Sequence, residues 1–154
     1  MYTGTKPFRA HDFFNRRWTG GYLYRHDLES FFYALLWLCS RYNGPGKALN
    51  DGEALPYDSW STGTSEEVRM TKWDLLTEPE FEPQITDFFR DFDSWLDEMQ
   101  TQLFYGNLDD VHPQQTQTQT DVDFTFDVET LGGHFTYANV KGIMSTFDGV
   151  ELEE

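Results

Sequence analysis

Three features of the sequence predict a mainly α fold built around a buried central helix. Residues 27–42 run without glycine or proline and hold ten apolar residues between Leu28 and Cys39, so they form one helix lacking a polar face. Residues 83–105 carry Ile85, Phe88, Phe89, Phe92, Leu96, Met99, Leu103 and Phe104 at spacings of three and four, with charged residues between them. Residues 65–76 mix charge with apolar positions at 68, 75 and 76 and the aliphatic stem of Lys72, the pattern of a surface helix.

Each element has a local reason. Residues 1–24 are rich in glycine, threonine and aromatic residues, and Thr19-Gly20-Gly21 interrupts any helix, which leaves loops with one short helical turn near 11–17. The central helix is expected to start at Asp27, whose carboxylate suits a cap, with Glu29 in the first turn and Arg41 in the last turn against the dipole. A helix apolar all round is expected to be enclosed on all sides. Residues 43–56, NGPGKALNDGEALP, read as a loop. Residues 112–123 open with HPQQTQTQT and read as a flexible polar linker. The chain therefore divides into a helical region at 1–111, the linker at 112–123, and a segment at 124–154. That last segment is expected to hold a short helix near 136–147 and an acidic tail of low order after Val150.

Charge narrows the possible partners. Residues 1–41 hold six Lys and Arg against three Asp and Glu, giving +3. The other 113 residues hold 5 against 24, giving −19, and the total is −16. Such a surface repels phosphate backbones and anionic lipids, so neither nucleic acid nor a membrane is an expected partner. The apolar run at 31–39 is well short of the roughly 20 residues a bilayer span requires, and residues 1–10 show no apolar leader core. An intracellular rather than a secreted protein is expected. Cys39 is the single cysteine, which rules out an internal disulfide and a cysteine-based metal cluster.

The candidate motifs for chemistry fail one by one. Arg25-His26-Asp27-Leu28 inverts the His-Arg order of a kinase catalytic loop and has Phe32 where that loop needs asparagine. Gly44, Gly46, Lys47 and Ala48 lack the spacing and the hydroxyl of a phosphate-binding loop. Histidines at 11, 26, 112 and 134 show no helical pairing for a metal. Glu66/Glu67 and Asp109/Asp110 read as solvated faces, and no G-x-S-x-G elbow is present. No catalytic residue, metal site or cofactor is assigned.

Two longer stretches carry a resemblance. Residues 4–12, GTKPFRAHD, are followed fifteen residues later by DLESFFYALLW at 27–37. Together they resemble the end of an activation segment and the central αF helix of the fungal-type protein kinase family. ETLGGHFTY at 129–137 is similar to the C-terminal end of the same family. The resemblance implies a truncated kinase C-terminal lobe, from the end of the activation segment through αF to the C-terminus. It implies that Thr5 is the hydroxyl residue of the substrate-facing loop. Asp27 would be the helix-start carboxylate that holds the catalytic-loop backbone, and Asp12 would stand where kinases pair a glutamate with a distant arginine. Arg9 departs from the family's methionine. A glycine-rich lid, a strand lysine, a catalytic Asp and Asn and a D-F-G triplet do not occur in the sequence, so the chain is expected to be inactive by itself. In a complete kinase the αE helix and catalytic loop cover part of αF. Apolar surface near Phe31, Tyr33 or Trp37 is therefore expected to be open to a protein partner or to self-association. An acidic, non-catalytic interaction module on the same scaffold is the alternative reading.

Overall fold

The computed structural model describes residues 5–49, 54–111 and 126–153. It is mainly helical. Two 3-10 turns, Lys6–Phe8 and His11–Phe14, precede helix α1 at Tyr24–Arg41. A short α2 at Ser59–Thr62 leads into α3 at Ser65–Leu76, and a 3-10 turn at Asp87–Phe92 leads into α4 at Asp93–Val111. Helix α5 at Tyr137–Ile143 and a two-stranded hairpin, β1 at Thr146–Phe147 and β2 at Val150–Glu151, complete the described chain. The core lies where α1, α3 and α4 meet: Phe32, Tyr33 and Leu36 pack with Val68 and Leu76 and with Leu96, Met99 and Leu103. Leu131, Phe135 and Val140 join the same cluster.

Helix α1 begins three residues earlier than expected, because another residue supplies the cap. Leu23 has no side-chain acceptor, yet its N–H donates to His26 Nδ1 at 3.0 Å, so an imidazole satisfies an orphan donor at the helix start. Asp27 lies inside the first turn and is not the cap. Helix α3 occupies the expected residues because Thr64 and Glu67 cap it reciprocally: Glu67 N donates to Thr64 Oγ1, and Thr64 N donates to Glu67 Oε2. Buried Gln100 of α4 then donates to the carbonyls of Leu75 and Glu78, closing the other end of α3.

Four further expectations change. Helix α1 is buried on one side only, and Phe31 and Leu38 are exposed. The helix expected at 83–105 starts at Asp93, since residues 83–86 form no regular element and Asp87–Phe92 form a 3-10 turn broken at Phe89. Phe88 consequently faces solvent, whereas Leu96, Met99 and Leu103 are fully buried. The chain past Val150 forms β2, paired with β1 through the Asp148-Gly149 turn, where φ values of 49° and 76° match the two left-handed positions of a tight hairpin. The polar stretch at 112–123 lies outside the described residues.

Candidate functional site: a buried charge cluster beneath the N-terminal loop

The first two turns of α1 point three polar side chains inward. Arg25, His26 and Glu29 are all buried, and so is Asp12 from the turn that precedes them. Asp12 Oδ2 accepts from the Arg25 guanidinium at 2.8 Å and from His26 Nε2 at 2.9 Å. Because His26 Nδ1 already accepts the Leu23 N–H, the ring proton sits on Nε2 and is donated to Asp12. One imidazole thus joins the helix cap to the loop carboxylate.

Glu29 anchors the next position. Its Oε1 accepts from the His11 backbone N–H at 2.9 Å and from the Tyr33 hydroxyl at 2.5 Å, and the His11 ring lies 3.5 Å away. Burial alone would raise the pKa of this carboxyl, but the neighbouring His11 and Tyr33 hold it well below the usual carboxylate range. Burial also pulls His11 down, and the Glu29 carboxylate outweighs it, so the His11 pKa is raised. Burial would likewise raise Asp12, yet His26, His11 and Arg25 bring it below its ordinary value. With His11 protonated, Asp12 and Glu29 are balanced by Arg25 and His11, which is what buried charges require.

A second anchor comes from α3. Lys72 has no exposed surface, and its Nζ donates to the carbonyls of Pro7 at 2.9 Å and Arg9 at 2.6 Å. The rings of Phe14, Tyr33 and Trp60 surround the amine, with centroids at 5.0, 4.1 and 5.2 Å. Burial pushes the Lys72 pKa down to about 7. Lys6 adds a bond from its Nζ to the Gly63 carbonyl. Loop residues 5–9 are therefore held by Lys72 of α3 and by the loop's own Lys6 on Gly63, and their continuation at 11–12 is held by α1.

The three residues singled out from the sequence separate. Asp12 is the hub of the cluster. Thr5 is exposed; its carbonyl accepts from Phe8 N–H, and its side chain makes no cap bond. Asp27 is exposed and accepts from the Tyr22 hydroxyl, apart from the cluster. Of the residues expected to border open apolar surface, Phe31 is exposed. Tyr33 is fully buried, and Trp37 is half-buried under the Arg41 guanidinium. Lys72, Glu29, Arg25, His11 and His26 were not expected to act together. Their signal in the sequence was a basic residue on the apolar stripe of α3 and an Arg-His pair on the inner face of α1.

Chemically the cluster is an anchor. The carboxylates of Asp12 and Glu29 are both occupied by internal partners. Among the described residues no group of three His, Cys, Asp or Glu side chains could hold a metal ion. No helix of the structure is long and apolar enough to cross a membrane. Beside α2 and α3 lies a cleft of about 1110 Å³ walled by Tyr57, Trp60 and Phe81, with Asp74, Glu78 and Glu80 around it.

Comparison with known proteins adds one likeness. A family model described as Fungal protein kinase matches residues 1–39, the stretch that contains the loop, Asp12 and most of α1. The similarity noted at 129–137 lies outside that match. No curated protein and no solved structure matches the chain.

Proposed function

We propose that this chain carries the substrate-loop and central-helix portion of a fungal-type protein kinase lobe, and that it acts as a scaffold without transferring phosphate by itself. The observation that carries the reading is the Asp12–Arg25–His26 junction. It lies inside the matched residues and ties the loop rigidly to the first turn of α1. In this reading Thr5 is presented at the surface of a loop whose backbone is clamped by Lys72, as a peptide-contacting loop requires. Asp27 stands free of the cluster, where it can receive backbone amides from another segment. Phosphoryl transfer needs a lysine on the phosphates, metal-bound carboxylates and a positioned base. The buried groups here are spent on one another.

The test combines calorimetry with Mg-ATP and a radiolabelled phosphotransfer assay on the purified chain. The expected result is no saturable binding and no incorporation above a blank without enzyme. Micromolar ATP affinity, or label transferred to a peptide, would refute it. A second reading, a non-catalytic acidic interaction module on the same helical scaffold, is favoured by the open apolar face of α1.

A further inference from the structure

Helix α1 carries two seams of the same spacing, one residue apart. Arg25, Glu29, Phe32, Leu36 and Cys39 follow one another at intervals of four, three, four and three, and all five are buried. Tyr24, Leu28, Phe31, Leu35 and Leu38 repeat those intervals, with Leu28 and Leu35 half-buried against the core. The other three positions of this second seam are open: Tyr24 is 37% exposed, Phe31 40% and Leu38 48%. A contiguous apolar stripe on a surface is unusual unless something covers it. An interval of alternating four and three is the register that meets another helix, knob into hole.

Beside the seam a groove of about 480 Å³ runs between α1 and α5, with Leu28 and Phe31 on one side and Val140, Met144 and Leu152 on the other. Its borders are acidic. Glu153 lines it, Glu151 is exposed next to Leu152, and Asp27 flanks Leu28 on α1. Glu129 meets the Tyr24 N–H at 3.4 Å. Lys141 is the one cation among the groove-lining residues. A second copy of this chain, itself at a net charge of −16, would bring its own Asp27, Glu129 and Glu153 against the same borders.

We infer that the open seam of α1 and the adjoining groove dock an amphipathic helix with apolar residues in heptad register and Lys or Arg on its flanks. Apolar knobs of that helix would fill the spaces between Tyr24, Phe31 and Leu38. Its basic flanks would meet Asp27 on one side and Glu129 and Glu153 on the other. The inference rests on the exposed seam and its charge, and it holds whether or not the kinase likeness does.

The test uses the full chain and a fluorescein-labelled probe of about 21 residues, three heptads with Leu at a and d and Lys at e and g. A mirror probe carries Glu at e and g. Anisotropy at physiological salt is expected to show saturable binding of the basic probe, about tenfold or more tighter than the mirror. Phe31→Glu with Leu38→Glu, both on the surface, is expected to weaken binding by about tenfold or more. Asp27→Lys with Glu153→Lys, which keeps the apolar seam, is expected to weaken it several-fold. Glu78→Lys with Glu80→Lys, in the cleft by α3, should leave it unchanged. Circular dichroism checks that each variant stays folded. Absence of saturable binding, equal affinity for the mirror probe, or indifference to the seam variant would overturn the inference. So would sedimentation showing that the chain is a dimer which Phe31→Glu with Leu38→Glu dissociates, because a second copy would then be the occupant.

Discussion

Replacing Lys72 with methionine removes the buried amine while keeping a flexible side chain of similar length. Burial lowers the Lys72 pKa from its ordinary 10.5 to about 7. Between those values the unfolded chain holds a proton that the folded chain lacks, so the Lys72 contribution to stability climbs as pH rises. Below about pH 7 both states hold the proton and the climb stops. Linkage over these two pKa values gives a gain of about 2 kcal/mol between pH 7 and about pH 9. His11 acts in the opposite sense: its raised pKa adds stability that is complete below its ordinary 6.5 and is lost as pH rises through the folded value. Subtracting the Lys72→Met stability from that of the unaltered chain cancels His11 and isolates the lysine. Urea unfolding followed by tryptophan fluorescence, at steps from pH 6 to about pH 9, measures the difference. An increase of about 2 kcal/mol in favour of the lysine protein is expected. A difference independent of pH would refute the reasoning and show that the two carbonyls and three rings keep the amine charged despite its burial.

The other predictions concern the cluster and the helix contacts. Asp12→Ala leaves Arg25 and His26 buried without their carboxylate and is expected to cost about 3–5 kcal/mol in urea unfolding; a loss below about 1 kcal/mol would mean that the cluster is not the anchor described. Asp27→Ala removes an exposed first-turn carboxylate that does not cap the helix, so it is expected to cost less than about 1 kcal/mol, and a loss as large as that of Asp12→Ala would contradict this assignment. Gly106 lies inside α4, where alanine normally stabilises by about 1 kcal/mol. Here the added Cβ would come within 2.7 Å of Leu131 Cβ, so Gly106→Ala is expected instead to destabilise by about 1–3 kcal/mol, with a raised melting temperature as the contrary result.

Apolar periodicity made much of this architecture readable from the sequence. Residues 65–76 were legible from the stripe at 68, 72, 75 and 76, and the structure adds a Thr64–Glu67 cap where that stripe begins. The start of α1 was not, because the strongest capping residue in view, Asp27, yields to an imidazole that reaches back to Leu23. Phe88 and Phe89 kept the helical spacing of the residues after them, yet Thr86 is pinned to Cys39 and Tyr42 by its N–H and hydroxyl, which holds that stretch away from α4. The cluster itself joins residues 11–12, 25–33 and 72. Such a set can be read locally only as isolated polar residues on apolar faces, since pairing across tens of residues leaves no period.

The surface is acidic because the sequence holds 27 Asp and Glu against 11 Lys and Arg, and several of those few cations are committed to internal contacts. Lys72 and Arg25 are turned inward, Lys6 is spent on the Gly63 carbonyl, and Arg41 is taken up by Asp58 and the Trp37 ring. These four of the eleven basic residues fix loops to helices instead of neutralising the exterior. The carboxylates outside the Asp12–Glu29 cluster are mostly left in solvent, so the interior gains directional anchors while the outer surface keeps an uncompensated negative field. That field opposes self-pairing of an apolar seam that would otherwise suit a second copy of itself. It turns the same seam toward a partner of opposite charge. Lys72, with the loop carbonyls it holds, and the acidic rim of the α1 groove are therefore separate features: the excess of carboxylates in the sequence, and not the burial of one lysine, sets the charge that faces a partner.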